Sequence, residues 1–296
     1  GAIKQKVATM ATQAFATERA VYRVGQDIEN RIAQLEAEGK TPQEAKLMGV
    51  EEYAIECAML KVKASEVGQM ITDEGIQIFG GMGYSADTPM DAAYRDVRIT
   101  RIYEGTNEIN RMLVVGMLLK KAMKGELDLM SPAMAVANDL MAIPSFDAPD
   151  FSETLSQEAD LVRNYKKAIL MVAGKAIEII GMQVEEEQEI LMTIADMLIE
   201  TFNAQSAVIR AVKIEQTQGA AAAEYYKKMA TLAVFEVGQI IETNGKEAII
   251  SFAEGDDQRL LLMGLRRFKK WQQPINPKQL RREIADKLLA ENKYCF

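Results

Sequence analysis

The sequence predicts an all-α protein, and three observations support that prediction. Helix-favouring residues such as Ala, Met, Leu, Glu and Lys are plentiful, whereas aromatic residues make up only 6% of the chain. Long segments place apolar residues three, four and seven positions apart, which is the period of an amphipathic helix. No segment shows the sustained alternation that indicates a strand, and only seven prolines interrupt the 296 residues.

The first two predicted helices are long. One covers residues 3–36. The segment TPQE at 41–44 then has the pattern of a capping box, in which the Thr and Glu side chains hydrogen-bond reciprocally at a helix N-terminus. The second predicted helix extends from this segment to Phe79, where Gly80 and Gly81 end it.

Two shorter helices follow. After a loop at residues 82–87, a third helix is predicted from Thr88 to about Ile102. Thr106 has the position and side chain of an N-cap for a fourth helix. That helix ends at Gly125, because a glycine after the last periodic residue is the usual C-terminal signal.

Composition divides the chain into three parts. Residues 1–125 form a first helical domain. Residues 126–150 contain three of the seven prolines and little sustained periodicity, so we predict a linker with one short amphipathic turn around Ala133–Met141. Residues 151–296 form a second helical domain.

Three segments of the second domain match segments of the first in the same order. The pairs are 195–210 with 8–23, EVGQIIETNG at 236–245 with EVGQMITDEG at 66–75, and Glu254-Gly255 with Glu104-Gly105. In the last pair, Asp256 takes the place of Thr106 as the predicted cap. The alternative is chance similarity between amphipathic helices. A degenerate copy lacking one loop would place the chemistry in the first domain and give the second a structural role.

Composition also excludes several functions. The chain has no histidine, which removes His-based triads and His-ligated metals, and we expect no metal site. The net charge of −8 argues against a nucleic-acid partner. Two cysteines form no disulfide framework, which indicates a reducing compartment. The chain opens already in helical period without signal-peptide features, so we expect it to begin inside a larger protein.

Two motifs are open to both a structural and a functional interpretation. In RIYEGTNEI at 101–109, Glu104 stands where one helix stops and another starts, so it either favours the helix macrodipole or takes a proton in catalysis. In QIFGGMGY at 77–84, the glycines either end a helix or let a ligand approach the backbone, with Gln77 as a polar neighbour. The residues alone do not decide between these interpretations.

These motifs resemble the C-terminal helical domain of the acyl-CoA dehydrogenases. The resemblance rests on QIFGGMGY and YRDVRITRIYEGTNEI, preceded by a helix containing KVATMATQAFATERAVYR, and covers residues 1–124. The rest of the chain resembles the extra C-terminal α-domain of the very-long-chain branch and its bacterial relatives. The resemblance implies an up-and-down helical bundle followed by a second, degenerate helical bundle.

The resemblance implies a role for ten residues. Glu104 matches the catalytic base that removes the α-proton of a fatty acyl-CoA during β-oxidation, while the β-hydride goes to the flavin N5. The residues that match the thioester pocket are Tyr103 and Gly105. The residues that match FAD contacts are Gln77, Ile78, Phe79, Gly80, Gly81, Thr106 and Glu108. The first five of these match a segment that contacts the FAD of the neighbouring subunit, and Glu108 stands where some members have Gln.

Cofactor and partners follow from the same resemblance. It implies FAD, an acyl-CoA substrate, for which long chains are the expectation in this branch, and electron-transfer flavoprotein as acceptor. It further implies a homodimer, in which the second bundle takes the place of the second dimer that completes the tetramer of shorter family members. Peripheral membrane association is compatible with it. The expected compartment is the bacterial cytoplasm, with the mitochondrial matrix as the alternative.

The same likeness leaves other outcomes open. The family's N-terminal helical domain and middle β-domain, which hold the isoalloxazine and most of the substrate pocket, are absent from this sequence. We therefore expect the chain alone to bind FAD weakly or not at all and to be inactive. The alternatives are a non-catalytic helical interaction or oligomerisation module, and an acyl-CoA oxidase that uses the same base.

Overall fold

The computed structural model describes residues 1–141 and 151–296, and every regular element in those ranges is helical. The α-helices are α1 (Ala2–Ala37), α2 (Pro42–Glu52), α3 (Ala54–Phe79), α4 (Gly81–Tyr84), α5 (Met90–Arg98), α6 (Asn107–Met123), α7 (Met130–Met141), α8 (Ser156–Ile180), α9 (Gln188–Gln218), α10 (Ala220–Phe252), α11 (Gly255–Phe268) and α12 (Pro277–Glu291). Short 3-10 helices occupy Ile99–Arg101 and Gly181–Glu185. The predicted all-α fold is confirmed.

The first helical block, residues 1–125, is organised around α3, which packs against α1, α5 and α6. The capping box before α2 is present. The amide of Glu44 donates to Thr41 Oγ1 at 3.3 Å, and the amide of Thr41 donates to Glu44 Oε2 at 3.0 Å. The fourth predicted helix is α6, which ends at Met123 with Lys124 as its C-cap and is followed by Gly125 with a φ of 72°.

The second helical block, residues 151–296, is organised around the long pair α9 and α10. These helices reverse at a single residue, Gly219, whose φ of 90° is a conformation that side chains disfavour. Helix α8 packs against both members of the pair, and α11 and α12 pack against α10. The reversal therefore gives this block its hairpin core.

One hydrophobic core crosses both blocks. Helix α1 packs against α9, α10 and α12, and α6 packs against α9. Phe15 of α1 and Val115 of α6 belong to the same buried cluster as Tyr165 of α8 and Met229 of α10. Fully burying one such side chain stabilises a fold by about 1.5–3 kcal/mol, so these contacts hold the two blocks together.

Three segments differ from their predicted form. The second predicted helix is broken at Tyr53 into α2 and α3, with backbone angles of φ −98° and ψ 20° at the break, which the helical periodicity on both sides conceals. The predicted loop after Gly80 begins with the one-turn helix α4. The predicted linker contains the full helix α7, which packs against α8, so the short turn expected there is longer. The remainder of the linker, 142–150, lies outside the described residues.

The proposed repeat has a structural counterpart in the order of contacts. Helix α3 packs against α1 and α6, and α10 packs against α9 and α11, their counterparts in the repeat. The matched glycines of the EVGQ segments both lie at close helix approaches. A Cβ on Gly68 would lie 3.1 Å from Val97 of α5, and one on Gly238 would lie 2.6 Å from the Tyr165 hydroxyl of α8.

The matched helix junctions differ from each other. Glu254 has extended backbone angles, φ −131° and ψ 167°, and forms the N-cap of α11 without a side-chain cap bond. The prediction that Asp256 caps this helix is wrong, because α11 already begins at Gly255. Glu104 instead has a φ of 55°, so the two junctions do not share a geometry.

Candidate active site

The Glu104 turn, residues 102–106, joins the 3-10 helix to α6 in an unusual backbone conformation. Glu104 and Gly105 have successive positive φ angles of 55° and 80°. The first is uncommon for a residue with a side chain and costs on the order of 1–3 kcal/mol, so surrounding contacts must hold it. Glu104 lies outside regular helix, as the sequence predicted.

Polar side chains from α3 and α6 hold the carbonyl of Gly105. Lys61 Nζ of α3 donates to that oxygen at 2.6 Å and to Asn107 Oδ1 at 2.8 Å. Asn110 Nδ2 of α6 donates to the same carbonyl at 2.9 Å. Asn107 is 1% exposed and also donates to Ser65 Oγ at 2.9 Å. The backbone immediately after Glu104 is therefore fixed from two helices.

The start of α6 completes the Glu104 turn. Thr106 is its N-cap, and the Thr106 hydroxyl accepts from the amide of Ile109 at 3.3 Å. Hydrogen bonds from its own backbone amide and then from Thr106 lower the pKa of Glu108. Both side chains thus serve the N-terminus of α6, where a negative charge is favourable.

Glu104 and Tyr103 face a shallow cleft between α3 and the helices that precede the turn. Both side chains are exposed, and Tyr103 is 51% exposed. The other residues that line the cleft are Lys61, Ala64, Ser65, Gly68, Val97 and Thr100. The cleft places a carboxylate, a phenol and an amine beside a partly apolar floor, and a carboxylate there can accept a proton from a bound molecule.

The second predicted group, Gln77–Gly81, lies elsewhere on the same helix. Gln77, Ile78 and Phe79 form the last turn of α3, about 13 Å along the helix axis from Gly68. Gln77 and Phe79 are exposed. Gly80 has a φ of 63°, and no atom lies within 4 Å of a Cβ built on it or on Gly81. The structure therefore separates these five residues from the Glu104 cleft and leaves their backbone open to a ligand.

A second network lies behind the Glu104 turn. The Arg111 guanidinium contacts Glu66 with two nitrogens at 2.9 Å each, and its Nε donates to Asp196 Oδ1 of α9 at 2.7 Å. Asn107 Nδ2 donates to Glu66 Oε1 at 3.1 Å. This network joins the Glu104 turn to the second helical block.

Sequence reasoning missed the residues of both networks. The residues are Lys61, Ser65, Glu66, Asn107, Asn110, Arg111 and Asp196. One signal was present: Asn107, Asn110 and Arg111 recur at helical spacing and form a polar stripe on α6, all at most 9% exposed. The partners on α3 and α9 lie in no local sequence pattern that would indicate these contacts.

Two absences concern only the described residues. There, no three His, Cys, Asp or Glu side chains come together in a way that would bind a metal ion. None of the helices in those ranges combines the length and apolar character that a membrane span requires.

Two of the three arginines at 95, 98 and 101 are exposed, and Arg101 lies 3.8 Å from Glu66.

Comparison with models of known families shows which family the chain belongs to. Residues 1–119 and residues 164–267 each match a family model described as acyl-CoA dehydrogenase, C-terminal domain. The chain belongs to the acyl-CoA dehydrogenase family. Its two helical blocks correspond to the C-terminal half of such a protein, as the motifs indicated.

Similar proteins include a probable acyl-CoA dehydrogenase of Bacillus subtilis (strain 168). It is 38% identical over 291 residues, which is 98% of this chain and 48% of that protein. The mitochondrial short-chain specific acyl-CoA dehydrogenase of Bos taurus is 55% identical over 68 residues, 23% of this chain and 16% of that protein. The chain thus spans about half the length of the Bacillus subtilis relative.

Two solved structures are similar in fold to this chain. The acyl-CoA dehydrogenase of Bacillus anthracis, solved in complex with FAD, has a TM-score of 0.92 and 39% identity, covering 99% of this chain and 49% of that chain. An acyl-CoA oxidase of Yarrowia lipolytica has a TM-score of 0.62 at 16% identity, covering 96% of this chain and 41% of that chain. The second likeness establishes a shared fold alone.

Proposed function

We propose that this chain is the C-terminal half of a flavin-dependent acyl-CoA dehydrogenase in which Glu104 is the catalytic base. The observation that carries the proposal is the Glu104 turn. A carboxylate is held outside regular helix at the rim of a cleft, in a chain of this family. The reaction forms a double bond between the α and β carbons of an acyl-CoA.

Glu104 would act by taking the α-proton. That proton is weakly acidic, so its removal requires a base positioned against the carbon. The bonds from Lys61 and Asn110 to Gly105 keep the Glu104 turn in one conformation, which limits the positions of the carboxylate. Tyr103 on the same cleft would line the thioester, as the family resemblance implies, with Gly105 on the other side of the base.

The residues at the end of α3 fit the cofactor that the family implies. The backbone at Gly80 and Gly81 is open, and Gln77 beside it offers both a donor and an acceptor. Residues Gln77 to Gly81 would therefore hold part of an FAD, which the family resemblance implies is that of the neighbouring subunit. When bound, FAD supplies the hydride acceptor. Thr106, the N-cap of α6, and Glu108 in its first turn would contact FAD close to the base.

The remaining assignments belong to the whole protein. We infer a homodimer, a long-chain acyl-CoA substrate and electron-transfer flavoprotein as acceptor. The bacterial origin of the relatives that match the full chain favours the cytoplasm of a bacterium. Peripheral contact with a membrane is compatible with this assignment.

Glu104 is exposed in this chain, so these residues alone do not desolvate it. We therefore expect the 296-residue chain by itself to be inactive and to bind FAD weakly. Purification of the isolated chain as a yellow, flavin-loaded protein would contradict this expectation.

The proposal is tested in the full-length protein with Glu104→Gln. Because the base is lost and the shape is kept, we expect the rate of flavin reduction by acyl-CoA to fall by about 10²–10⁴-fold while FAD and acyl-CoA binding persist. The matched control is Glu254→Gln, which alters the counterpart residue in the second block and should leave the rate unchanged. Equal rates in wild type and Glu104→Gln would overturn the assignment. Rapid reoxidation of the reduced enzyme by air would instead favour an oxidase.

A further inference from the structure

A continuous series of polar contacts runs from the second helical block to the Glu104 turn. It begins at Asp196 of α9, whose Oδ1 accepts from Arg111 Nε at 2.7 Å. Arg111 then binds Glu66 through both terminal nitrogens at 2.9 Å. Each contact is short enough to be a hydrogen bond with a charged partner.

The series continues to the backbone beside the proposed base. Glu66 Oε1 accepts from Asn107 Nδ2 at 3.1 Å, and Asn107 Oδ1 accepts from Lys61 Nζ at 2.8 Å. Lys61 Nζ then donates to the carbonyl of Gly105 at 2.6 Å. Only the last contact reaches the Glu104 turn, so the residues before it act through Lys61.

Burial limits movement at the centre of this series, whereas the Glu66 and Asp196 side chains are 29% and 32% exposed. The Arg111 and Asn107 side chains are largely shielded from water, with Arg111 8% and Asn107 1% exposed overall. Removing one member of a buried hydrogen-bonded charge network leaves its partner unpaired, which costs more than the bond itself contributes. Neutralising Asp196 would remove the charge that strengthens its bond to Arg111 Nε and free the guanidinium to move relative to Glu66.

We propose that Asp196 is a positioning residue for Glu104, through which the second helical block fixes the conformation of the Glu104 turn. The inference rests on the proposed role of Glu104 as base. It assigns the second block a part in catalysis beyond packing, although none of the described residues of that block lines the Glu104 cleft.

The chain provides a matched control one turn further along α9. Glu200 contacts Lys63 Nζ of α3 with both carboxylate oxygens at 2.6 Å, and its side chain is 15% exposed. Like Asp196, it is a carboxylate on α9 paired with a cation of the first block. Among the described residues, Lys63 makes no hydrogen bond or ion pair that continues to the Glu104 turn, so Glu200 shares the interface and makes no direct contact with the series.

The experiment compares Asp196→Asn with Glu200→Gln in the full-length enzyme. The first readout is hydrogen exchange at the amides of residues 104–110, which reports local opening of the turn. We expect exchange to be at least about fivefold faster in Asp196→Asn and unchanged in Glu200→Gln. Equal acceleration in both variants, or in neither, would overturn the proposal.

The second readout is catalytic and separates positioning from general instability. Asp196→Asn should lower kcat by about tenfold with KM within a factor of two, because the misplaced base affects the transition state more than substrate binding. Faster exchange at the turn with an unchanged kcat would also overturn the proposal. If Glu104→Gln shows that Glu104 is not the base, the exchange comparison still decides whether Asp196 holds the turn.

Discussion

Lys61 Nζ lies 2.6 Å from the carbonyl oxygen of Gly105, and this bond joins α3 to the backbone directly after Glu104. The same ammonium donates to Asn107 Oδ1 at 2.8 Å, at the first residue of α6. Burial lowers the pKa of Lys61, while the charges of Glu108 and Glu104 oppose that change. One side chain thus fixes both ends of the Gly105–Asn107 segment.

Lys61→Met should loosen the Glu104 turn. The substitution keeps the length of the side chain and removes a charged donor, which stabilises a fold by about 1.5–3 kcal/mol when it is partly buried. We expect a loss of that order in the free energy of unfolding, measured by urea denaturation. Lys46→Met is the control, because Lys46 is exposed on α2. Equal losses in the two variants would show that the bond to Gly105 contributes nothing.

Gly105→Ala should destabilise the turn for a different reason. Gly105 has a φ of 80°, and an added Cβ would lie 3.0 Å from Asn110 Nδ2, the second donor to its carbonyl. Strain of this kind costs on the order of 1–3 kcal/mol, measured as a lower free energy of unfolding.

The control for that substitution lies within α6. No atom lies within 4 Å of a Cβ built on Gly116, which is exposed. Gly116→Ala should therefore raise the free energy of unfolding by about 0.5–1 kcal/mol, because alanine favours a helix interior. A destabilising effect of the same size at both glycines would contradict the proposed strain.

Local signals in the sequence were sufficient for most helix ends. The Thr41 box, the Thr106 cap and the glycine at 125 each act through residues at most five positions away, and each lies where it was predicted. The break at Tyr53 was missed because the apolar period continues on both sides of it. Helical periodicity indicates that residues are helical and carries little information on a change of axis.

The contacts that hold the candidate site depend on packing and could not be predicted in this way. Lys61 and Gly105 are 44 residues apart, and Arg111 and Asp196 are 85 apart. The Glu-Gly pairs at 104 and 254 illustrate the same limit, because the same two residues adopt different backbone conformations at the two helix junctions. In the second block, Gln258 Nε2 donates to the carbonyl of Ala253 at 2.7 Å, one residue before the glutamate. In the first, Lys61 and Asn110 hold the carbonyl one residue after it.

Acidification should affect the Asp196 network in a defined direction. Burial raises the pKa of Asp196, Arg111 opposes this, and Glu66 and Glu200 add to it. Burial acts the same way on Glu66, but the hydrogen bond and the charge of Arg111, followed by the hydrogen bond from Asn107, outweigh it and lower the Glu66 pKa. The two carboxylates share one guanidinium, which contacts Glu66 with two nitrogens and Asp196 with one.

The sign of the pH effect follows from these directions. A carboxyl with a raised pKa binds its proton first in the folded state, so acidification through that value stabilises the fold. Asp196→Asn removes this stabilisation on acidification. Arg111 then pairs with Glu66 alone, and the stabilising effect of the Glu66 carboxylate is lost as the pH falls below the ordinary glutamate pKa of about 4.3. We expect the free energy of unfolding of Asp196→Asn to fall more steeply between about pH 6 and about pH 3.5 than that of wild type. An unchanged slope, with the exposed Glu247→Gln as control, would contradict this assignment.

Tyr165 and Gly238 allow a test of the packing between α8 and α10. Tyr165 is 0% exposed, its hydroxyl donates to the carbonyl of Val234 at 3.1 Å, and burial raises its pKa. A Cβ on residue 238 would lie 2.6 Å from that hydroxyl oxygen and 3.4 Å from the ring carbon that carries it. Gly238→Ala should therefore lower the free energy of unfolding by about 1–3 kcal/mol through overpacking.

A double-mutant cycle isolates the clash. Tyr165→Phe alone should cost about 1 kcal/mol, because it removes one buried hydrogen bond. In the Tyr165→Phe background the nearest atom to the added methyl is gone and the next lies at ordinary contact distance, so Gly238→Ala should cost less there than in wild type. Urea denaturation of the four proteins measures the difference. An equal cost of Gly238→Ala in both backgrounds would mean that the hydroxyl does not set the spacing of α8 and α10, and that backbone entropy or another neighbour requires the glycine.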